Sequence, residues 1–195
     1  MDWIILSDTW VISIYFITTN IFSHLAVRIL WTFDNHTNDF YDNYPGNGIN
    51  SPTYSFPGIN GYGSCLYLNA TNNQSVTVYS PPFLNIAYTS FSLNGWIKPT
   101  TLRNSGATGF DSALFGQFDR NTTDYSFYIT IRKQKPYFGF YFDDIQGTTV
   151  LSVGKWYHVI MFIQISLQTE NFLVIRLHLF MIIQCWNSRF ILMEF

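Results

Sequence analysis

Two segments of this chain follow the two-residue period of a β-strand, and they constrain the fold more than any other feature. They span residues 91–99 and 156–164. Their apolar rows are Phe91, Leu93 and Ile97 in the first, and Tyr157, Val159, Met161 and Ile163 in the second. The second segment is apolar on its other side as well, which is typical of a strand buried between two layers. We therefore expect two stacked sheets, with Trp96 and Trp156 buried between them.

Short runs of β-type residues recur from Ile29 to Gln164, separated by stretches rich in Gly, Pro and Asn. The runs are residues 29–33, 65–69, 75–79, 89–97, 113–118, 125–132, 137–142, 148–151 and 156–164. The turn-rich stretches are residues 43–50, 57–64, 104–109 and 143–147. This punctuation indicates an all-β, antiparallel two-sheet sandwich. We expect one such domain over residues 29–195, best supported over residues 29–164, with any substantial helix outside the latter range.

Both ends of the chain differ from this central region. Residues 1–28 are apolar but interrupted, notably by Asp8, so a signal or membrane anchor and an ordinary N-terminal segment both stay open. After Gln164 we expect a further buried strand that begins at Phe172. The chain beyond it is short for more closing strands, and we expect the domain to be incomplete there, with an unpaired sheet edge.

The composition limits the classes of partner. Charged residues make up 11% of the chain, aromatic residues 19%, and the formal net charge is -2. The chain has no run of Lys and Arg, so it lacks the basic surface of a nucleic-acid-binding protein. Of its two cysteines, Cys65 is expected to be a buried apolar residue rather than half of a disulfide with Cys185.

Several segments, in order along the chain, resemble the laminin-G-like jelly roll of the concanavalin A-like lectin/glucanase superfamily. They are Trp31-Thr32-Phe33-Asp34, residues 63–69 with 75–78, residues 90–99 around Trp96, residues 113–116 with 137–140, and Gly154-Lys155-Trp156-Tyr157-His158-Val159. The resemblance covers residues 29–164, although the Asn-Gly hairpin that the family places after the Trp-His strand is absent. It implies a jelly roll, and a non-catalytic extracellular domain that binds glycan or protein ligands through loops at the sandwich rim.

Glycoside hydrolases of the same superfamily need two carboxylates, one to donate a proton and one to attack the sugar. The only glutamates are Glu170 and Glu194, and neither has an acidic neighbour at alternate spacing. Asp143 and Asp144 are adjacent and are expected to begin a turn. We therefore expect no enzymatic activity. A hydrolase-like enzyme and a truncated, membrane-attached fragment without binding activity are the alternatives.

The resemblance also brings in calcium, which many laminin-G-like domains bind at the rim through oxygen ligands. The aspartates in or beside predicted loops are Asp34, Asp39, Asp42, Asp111, Asp143 and Asp144. We expect them to be solvated loop carboxylates and expect no cofactor, with calcium as the alternative. His158 is expected to be a hydrogen-bonded core residue rather than a metal ligand.

The best candidates for ligand contacts are four tyrosines in the long loop over residues 37–64. They are Tyr41, Tyr44, Tyr54 and Tyr62. A ring can pack on the apolar face of a sugar while its hydroxyl forms a hydrogen bond, and loops on a rigid sandwich often carry binding. The alternative is that these tyrosines pin the loop to the sheet. The loop over residues 104–109 is a second candidate.

Asn-x-Ser/Thr triplets occur at four positions at strand ends or in loops. The acceptor residues are Asn35, Asn69, Asn73 and Asn121. Such triplets accept N-glycans in the secretory pathway. They favour an extracellular or membrane-associated glycoprotein, with membrane contact through the N-terminal segment.

Overall fold

The structure is a computed structural model that describes residues 2–5, 11–19, 26–79, 90–102, 111–118, 126–140, 143–168 and 172–183. In these ranges the chain is all-β. Fourteen strands form two sheets in which every pairing is antiparallel. The helical elements of the described residues are two 3-10 turns, at Ile59–Gly61 and Ala70–Asn72. The all-β prediction is confirmed.

The strands are numbered here in chain order. They are β1 (Asp2–Ile5), β2 (Val11–Thr19), β3 (Ala26–Trp31), β4 (Gly46–Ile49), β5 (Thr53–Ser55), β6 (Cys65–Tyr67), β7 (Ser75–Tyr79), β8 (Ser90–Ile97), β9 (Ser112–Phe118), β10 (Ser126–Arg132), β11 (Lys135–Phe140), β12 (Asp143–Gln146), β13 (Tyr157–Gln168) and β14 (Phe172–Ile183). The first sheet has the order β12-β11-β10-β9-β1-β7-β4. The second has the order β14-β13-β8-β2-β6-β5, and β3 pairs with β2 beside β6.

The two sheets share one apolar core. It receives Val76, Val78, Phe127 and Phe138 from the first sheet, and the inward rows of β6, β8 and β13 from the second. Phe91 of β8 meets Phe127 of β10 edge-on, with ring centroids 5.7 Å apart. Burial of these apolar side chains is the main favourable contribution to the free energy of folding.

The predicted apolar rows of β8 and β13 are confirmed. Phe91, Leu93 and Ile97 are buried, and so is the row from Tyr157 to Ile163. The residues between them are only half-buried. The two-residue period therefore identified the inward side of each strand correctly.

The prediction that Trp96 and Trp156 are buried between the sheets is wrong. Trp96 alternates with the core residues of β8, so it lies on the outer face and is half-buried. Its ring stacks on the ring of His158 of β13, with centroids 4.5 Å apart and 8° between the planes. Trp156 precedes β13 and is also half-buried, with the Lys98 ammonium 5.9 Å from its ring centroid.

Two predicted boundaries are wrong near residue 147. The expected turn at Asp143 and Asp144 is strand β12, which pairs with β11 from Phe140↔Asp143 to Tyr137↔Gln146. The expected strand over residues 148–151 is irregular chain instead. The edge of β11 is already occupied by β12, and Leu151 is held by a single backbone hydrogen bond from its N–H to the carbonyl of Gln134, at 2.7 Å.

The first 28 residues contribute strands to both sheets. β1 lies between β7 and β9, with Trp3 opposite both Val78 and Gln117. β2 pairs along its length with β8 on one side, and with β3 and β6 on the other. At the other end of the domain, the strand expected to begin at Phe172 is β14, which pairs with β13 over all twelve of its residues.

Candidate functional site

The connection between β3 and β6, residues 32–64, carries all four candidate tyrosines and is built mainly by turns around two short strands. β4 adds to the edge of the first sheet beside β7, and β5 adds to the edge of the second beside β6. The connection is thereby attached to both sheets. The side chains of Asp39 and Asp34 hold two further parts of it.

Asp39 fixes the first part of this connection. Its carboxylate is buried, with 1% of the residue exposed, and it accepts hydrogen bonds from the backbone N–H groups of Leu30 at 2.7 Å, Tyr41 at 3.2 Å and Asn43 at 3.3 Å. The N–H of Phe40 donates in turn to the Leu30 carbonyl at 2.7 Å. A buried carboxylate needs such partners. Asp39 is therefore a structural residue, and the expectation that it is a solvated loop carboxylate is wrong.

Asp34 joins the start of the connection to its end. Its Oδ1 accepts hydrogen bonds from the backbone N–H and the hydroxyl of Ser64, at 2.8 and 2.9 Å. These hydrogen bonds, chiefly the one from the backbone N–H, lower the pKa of Asp34, and the nearby His36 lowers it further. Asp34 is exposed, so it presents a negative charge to solvent at neutral pH.

The loop before Ser64 is a tight turn that requires glycine at position 58. The N–H of Gly58 donates to the carbonyl of Gly63 at 2.7 Å, across the 3-10 turn. A Cβ on Gly58 would lie 2.6 Å from the carbonyl oxygen of Tyr62. Because that approach is closer than a Cβ tolerates, Gly58 sets the path that brings Tyr62 to the surface.

The structure separates the four candidate tyrosines into two pairs. Tyr41 and Tyr62 are exposed, with 47% and 82% of each residue accessible. Tyr54 is half-buried against the core, and Tyr44 is buried at 2%. Burial raises the pKa of both Tyr44 and Tyr54. Tyr44 is therefore removed from the set of ligand contacts, and its role matches the alternative that these rings pin the loop.

Two phenylalanines of the same connection were missed by the sequence reasoning. Phe40 is 65% exposed and Phe56 is 77% exposed. The rings of Phe40 and Tyr41 meet edge-on with centroids 5.3 Å apart. Their exposure could have been predicted from their position among Asn, Gly, Ser and Pro residues rather than in an alternating apolar run. We refer to Phe40, Tyr41, Phe56 and Tyr62 as the four exposed rings.

Two parts of the connection that carry exposed rings are anchored near the end of β3. Phe40 and Tyr41 are attached beside Leu30, and the loop that carries Tyr62 is attached through Ser64 to Asp34. Leu30 and Asp34 are four residues apart, so these two attachment points lie within about 13 Å along the chain. Phe40 and Tyr41, whose rings are in contact, form the aromatic pair of this region.

Outside this connection, Asp111 and Asp144 are brought together by Arg132. The guanidinium Nε donates to both oxygens of Asp111, at 2.9 and 3.0 Å, and Nη1 donates to Asp144 at 3.0 Å. The hydroxyl of Tyr128 donates to the other oxygen of Asp144. The Arg132 guanidinium also lies over the ring of Tyr137, 4.5 Å from its centroid. The expectation that these two aspartates are individually solvated is wrong, and we interpret the network as a link across the outer face of β10–β12.

The remaining single-residue predictions have mixed outcomes. Cys65 is buried and its thiol is free, as expected for an apolar packing residue, and burial raises its pKa to about 11. Cys185 lies outside the described residues. His158 lies half-buried on the outer face rather than in the core, and its Nε2 is 3.4 Å from Oδ1 of Asn94. Burial lowers the pKa of His158.

The glycosylation candidates differ in exposure. Asn35 and Asn73 are exposed, both with left-handed backbone conformations. Asn69 is half-buried, and its Oδ1 accepts a hydrogen bond from the N–H of Thr71 at 2.9 Å. Asn121 lies outside the described residues, as do Glu170, Glu194 and the loop over residues 104–109. The geometry therefore favours Asn35 and Asn73 as acceptors.

The described part of the chain has neither a cluster of metal-ligating side chains nor a helix able to cross a membrane. It contains no group of three or more His, Cys, Asp and Glu side chains arranged to hold a metal ion. None of its helical segments has the length and apolar character needed to cross a bilayer. A cavity of about 20 Å³ between the sheets, lined by Leu93, Val159 and Ile129 among others, is apolar and of the size of a single water molecule. It is not a ligand site.

The comparisons with known proteins identify no relative. No family model matches the chain, and searches of curated proteins and of solved structures also found no match.

Proposed function

We propose that this chain is a non-catalytic extracellular recognition domain that binds a glycan or protein ligand through the four exposed rings. The single observation that carries the proposal is the exposure of these rings on a connection held in place by Asp34 and Asp39. Large aromatic residues on rigidly held loops lose little conformational freedom on binding. The laminin-G-like jelly roll of the concanavalin A-like superfamily is the fold we propose for the two sheets, on the sequence resemblance over residues 29–164.

Three carboxylates of the described residues have structural partners, which supports a non-catalytic role. A glycosidase needs one carboxylic acid to donate a proton and a second, free carboxylate to attack or to activate water. Asp111 and Asp144 are the pair that the fold brings together, and their oxygens are occupied by Arg132 and Tyr128. Asp39 is occupied by backbone N–H groups. Asp39, Asp111 and Asp144 therefore serve the structure.

The exposed sequons support an extracellular location. Asn35 and Asn73 are exposed, so a bulky glycan can be attached to either without displacing core residues. Asn35 is also followed by Thr37, which has the hydroxyl that the acceptor triplet requires. Expression in a secreting eukaryotic host should yield a product whose mass falls after treatment with a peptide N-glycosidase.

The test of the binding proposal uses the purified chain with two aromatic substitutions. Tyr62→Ala and Tyr41→Ala remove one exposed ring each, and Val153→Ala is the matched control because Val153 is 54% exposed on a separate loop. Binding to immobilised glycans and to candidate extracellular proteins is measured for each variant. We expect both tyrosine variants to bind at least about fivefold more weakly and Val153→Ala to bind as the parent does. Equal binding by all variants would contradict the assignment of the site.

A further inference from the structure

We infer that the contact of His158 with Trp96 and Asn94 is an acid-sensitive link between β13 and β8, which is complete only while His158 is neutral. The inference concerns the outer face of the second sheet, and it depends neither on the four exposed rings nor on any ligand. It follows from the geometry of this contact, from the groups that surround His158, and from the way in which β13 and β14 are attached to the sheet.

The side chain of His158 joins two neighbouring strands. His158 lies opposite Trp96 in the register of β13 and β8. The two rings are stacked, with centroids 4.5 Å apart and 8° between their planes, and Nε2 of His158 is 3.4 Å from Oδ1 of Asn94. Asn94 is two residues before Trp96 and so lies on the same face of β8. Both of these side-chain contacts therefore reach from β13 to β8.

This contact lies where β13 and β14 are attached to the rest of the second sheet. Among the described strands, β14 pairs with β13 alone. β13 pairs in turn with β8, from Tyr157↔Ile97 to Ile163↔Phe91, and His158 belongs to the second of these pairs. A change at His158 is therefore expected to affect the attachment of both strands.

The groups around His158 on the outer face include no anion among the described residues. By their positions in the register they are Asn94, Trp96, Lys98, Trp156, Ile160 and, on β14, Ile182. Lys98 is the one charged residue of this set, and its ammonium lies 5.9 Å from the ring centroid of Trp156. The nearest ionisable residue of β14 is His178, which pairs with Phe162. Both Lys98 and His178 are basic, so neither offsets a positive charge on His158.

Burial also opposes the charged form of His158. The residue is half-buried, and this burial lowers its pKa from the ordinary value of 6.5. The face of the Trp96 ring attracts a cation and acts in the opposite direction. The parallel stack, however, covers one face of the imidazole and removes water that the charged ring would need. We therefore expect the neutral form to be favoured in the folded protein.

The sign of the pH dependence follows from this direction. Because the pKa of His158 is lower in the folded protein than in the unfolded chain, the linked stability is fully present above pH 6.5. It is lost as the pH falls from 6.5 through the folded-state pKa. The charge then appears at the contact with β8, so β13 and β14 should open more often at acidic pH than the strands of the first sheet.

The experiment compares the full chain with His158→Gln and Trp96→Leu. Gln keeps an amide donor near Asn94 and takes up no proton in this pH range, whereas Leu removes the stacked ring. Titration of the imidazole C–H signals by NMR, assigned by the signal missing in His158→Gln, gives the pKa of His158. Urea unfolding is measured at pH 7.5 and pH 5. Hydrogen exchange, corrected for the intrinsic effect of pH, compares the amides of β13 and β14 with those of β10 and β11.

We expect His158 to titrate below pH 6.5, and its pKa to rise toward that value in Trp96→Leu. Between pH 7.5 and pH 5 the parent should lose more stability than His158→Gln. Its β13 and β14 amides should exchange about twofold faster or more, relative to those of β10 and β11. A pKa at or above 6.5, a lower pKa in Trp96→Leu, or equal acid losses in the parent and His158→Gln would each overturn the inference. These measurements involve no ligand, so their outcome leaves the binding proposal unchanged.

Discussion

At the scale of single residues, two aspartates stabilise the β3–β6 connection by accepting hydrogen bonds from the backbone. The connection has no helix longer than one 3-10 turn, and its strands β4 and β5 are four and three residues long. Such short elements hold little structure by themselves. Asp39 and Asp34 supply the missing order by accepting hydrogen bonds from backbone groups that lie far apart in the sequence.

The first prediction concerns Asp39. In Asp39→Asn the side chain keeps one acceptor and gains two donors, which face the N–H groups of Leu30, Tyr41 and Asn43. Because donors then meet donors in a buried site, we expect the free energy of unfolding to fall by about 1–3 kcal/mol. Asp42→Asn removes the same charge at an exposed position and should change it by less than about 0.5 kcal/mol. Urea unfolding of the two variants measures the difference, and equal values would show that Asp39 is not a structural anchor.

The second prediction concerns Tyr128. Burial, followed by its hydrogen bond to Asp144, raises the pKa of Tyr128 from its ordinary value of 10.0 to about 12. The unfolded chain therefore releases this proton first, and the stability linked to Tyr128 is present below pH 10 and is lost as the pH rises toward 12. Urea unfolding at pH 9 and pH 11 should show a smaller alkaline loss in Tyr128→Phe than in the parent. The same loss in both proteins would mean that the Tyr128 hydroxyl is not held as described.

At the scale of elements, the sequence predicted which apolar side chains of β8 and β13 face the core. It did not predict the outer-face position of Trp96 or the edge strand β12. The inward rows of β8 and β13 follow from alternation, since the core selects the same side at every second residue. Trp96 was misplaced because large aromatic residues also occupy outer faces when a ring such as that of His158 covers them. β12 was missed because Asp143 and Asp144 are typical of turns, and its pairing with β11 depends on long-range contacts that local propensity does not contain.

The same limit applies to the candidate site. The position of the long loop was predictable from its Gly, Pro and Asn residues, and two of its four tyrosines are exposed as a ligand contact requires. The burial of Tyr44 could not be predicted, because it depends on Asp39 and on Trp31, whose indole N–H donates to the Tyr44 carbonyl at 2.9 Å. The alternation of apolar and polar residues along the chain does not predict which of them will form such contacts.

The third prediction compares two adjacent residues at the start of β13. Tyr157 is buried at 2% and its hydroxyl accepts a hydrogen bond from the N–H of Ser152 at 2.7 Å, whereas Trp156 is half-buried outside the strand. We expect Tyr157→Ala to cost about 3–5 kcal/mol of unfolding free energy. Trp156→Ala should cost about 1 kcal/mol, chiefly the contact with Lys98. Chemical denaturation measures both changes in the free energy of unfolding. A larger loss for Trp156→Ala than for Tyr157→Ala would indicate that Trp156 is buried between the sheets.

At the scale of the whole molecule, the N-terminal strands hold both sheets together. β1 joins the β9–β12 half of the first sheet to β7 and β4, and β2 joins β8 to β6 and β3 in the second. Removing either strand divides a sheet and exposes two edges of unpaired backbone groups. Asp2–Ile5 and Val11–Thr19 are thus central strands of the two sheets.

The fourth prediction follows from that arrangement. A chain of residues 29–195 should lose cooperative thermal unfolding and should aggregate, because β1 and β2 are missing from the middle of their sheets. Ile14→Pro is the milder variant, since proline removes the backbone donor of a residue that pairs with both Gly95 and Trp31. It should lower the melting temperature by at least several degrees. A cooperative transition of the shortened chain, at an unchanged temperature, would show that β1 and β2 are not needed to hold the two sheets together.

The placement of β1 also has a kinetic consequence. Asp2 pairs with Tyr79 and with Phe118, so β1 is synthesised well before the strands that flank it in the sheet. Contacts this distant along the chain close slowly, and refolding from denaturant should take on the order of milliseconds to seconds rather than microseconds. Until then β1 and β2 are apolar strands with free edges, and the nascent chain is most vulnerable to self-association in that interval.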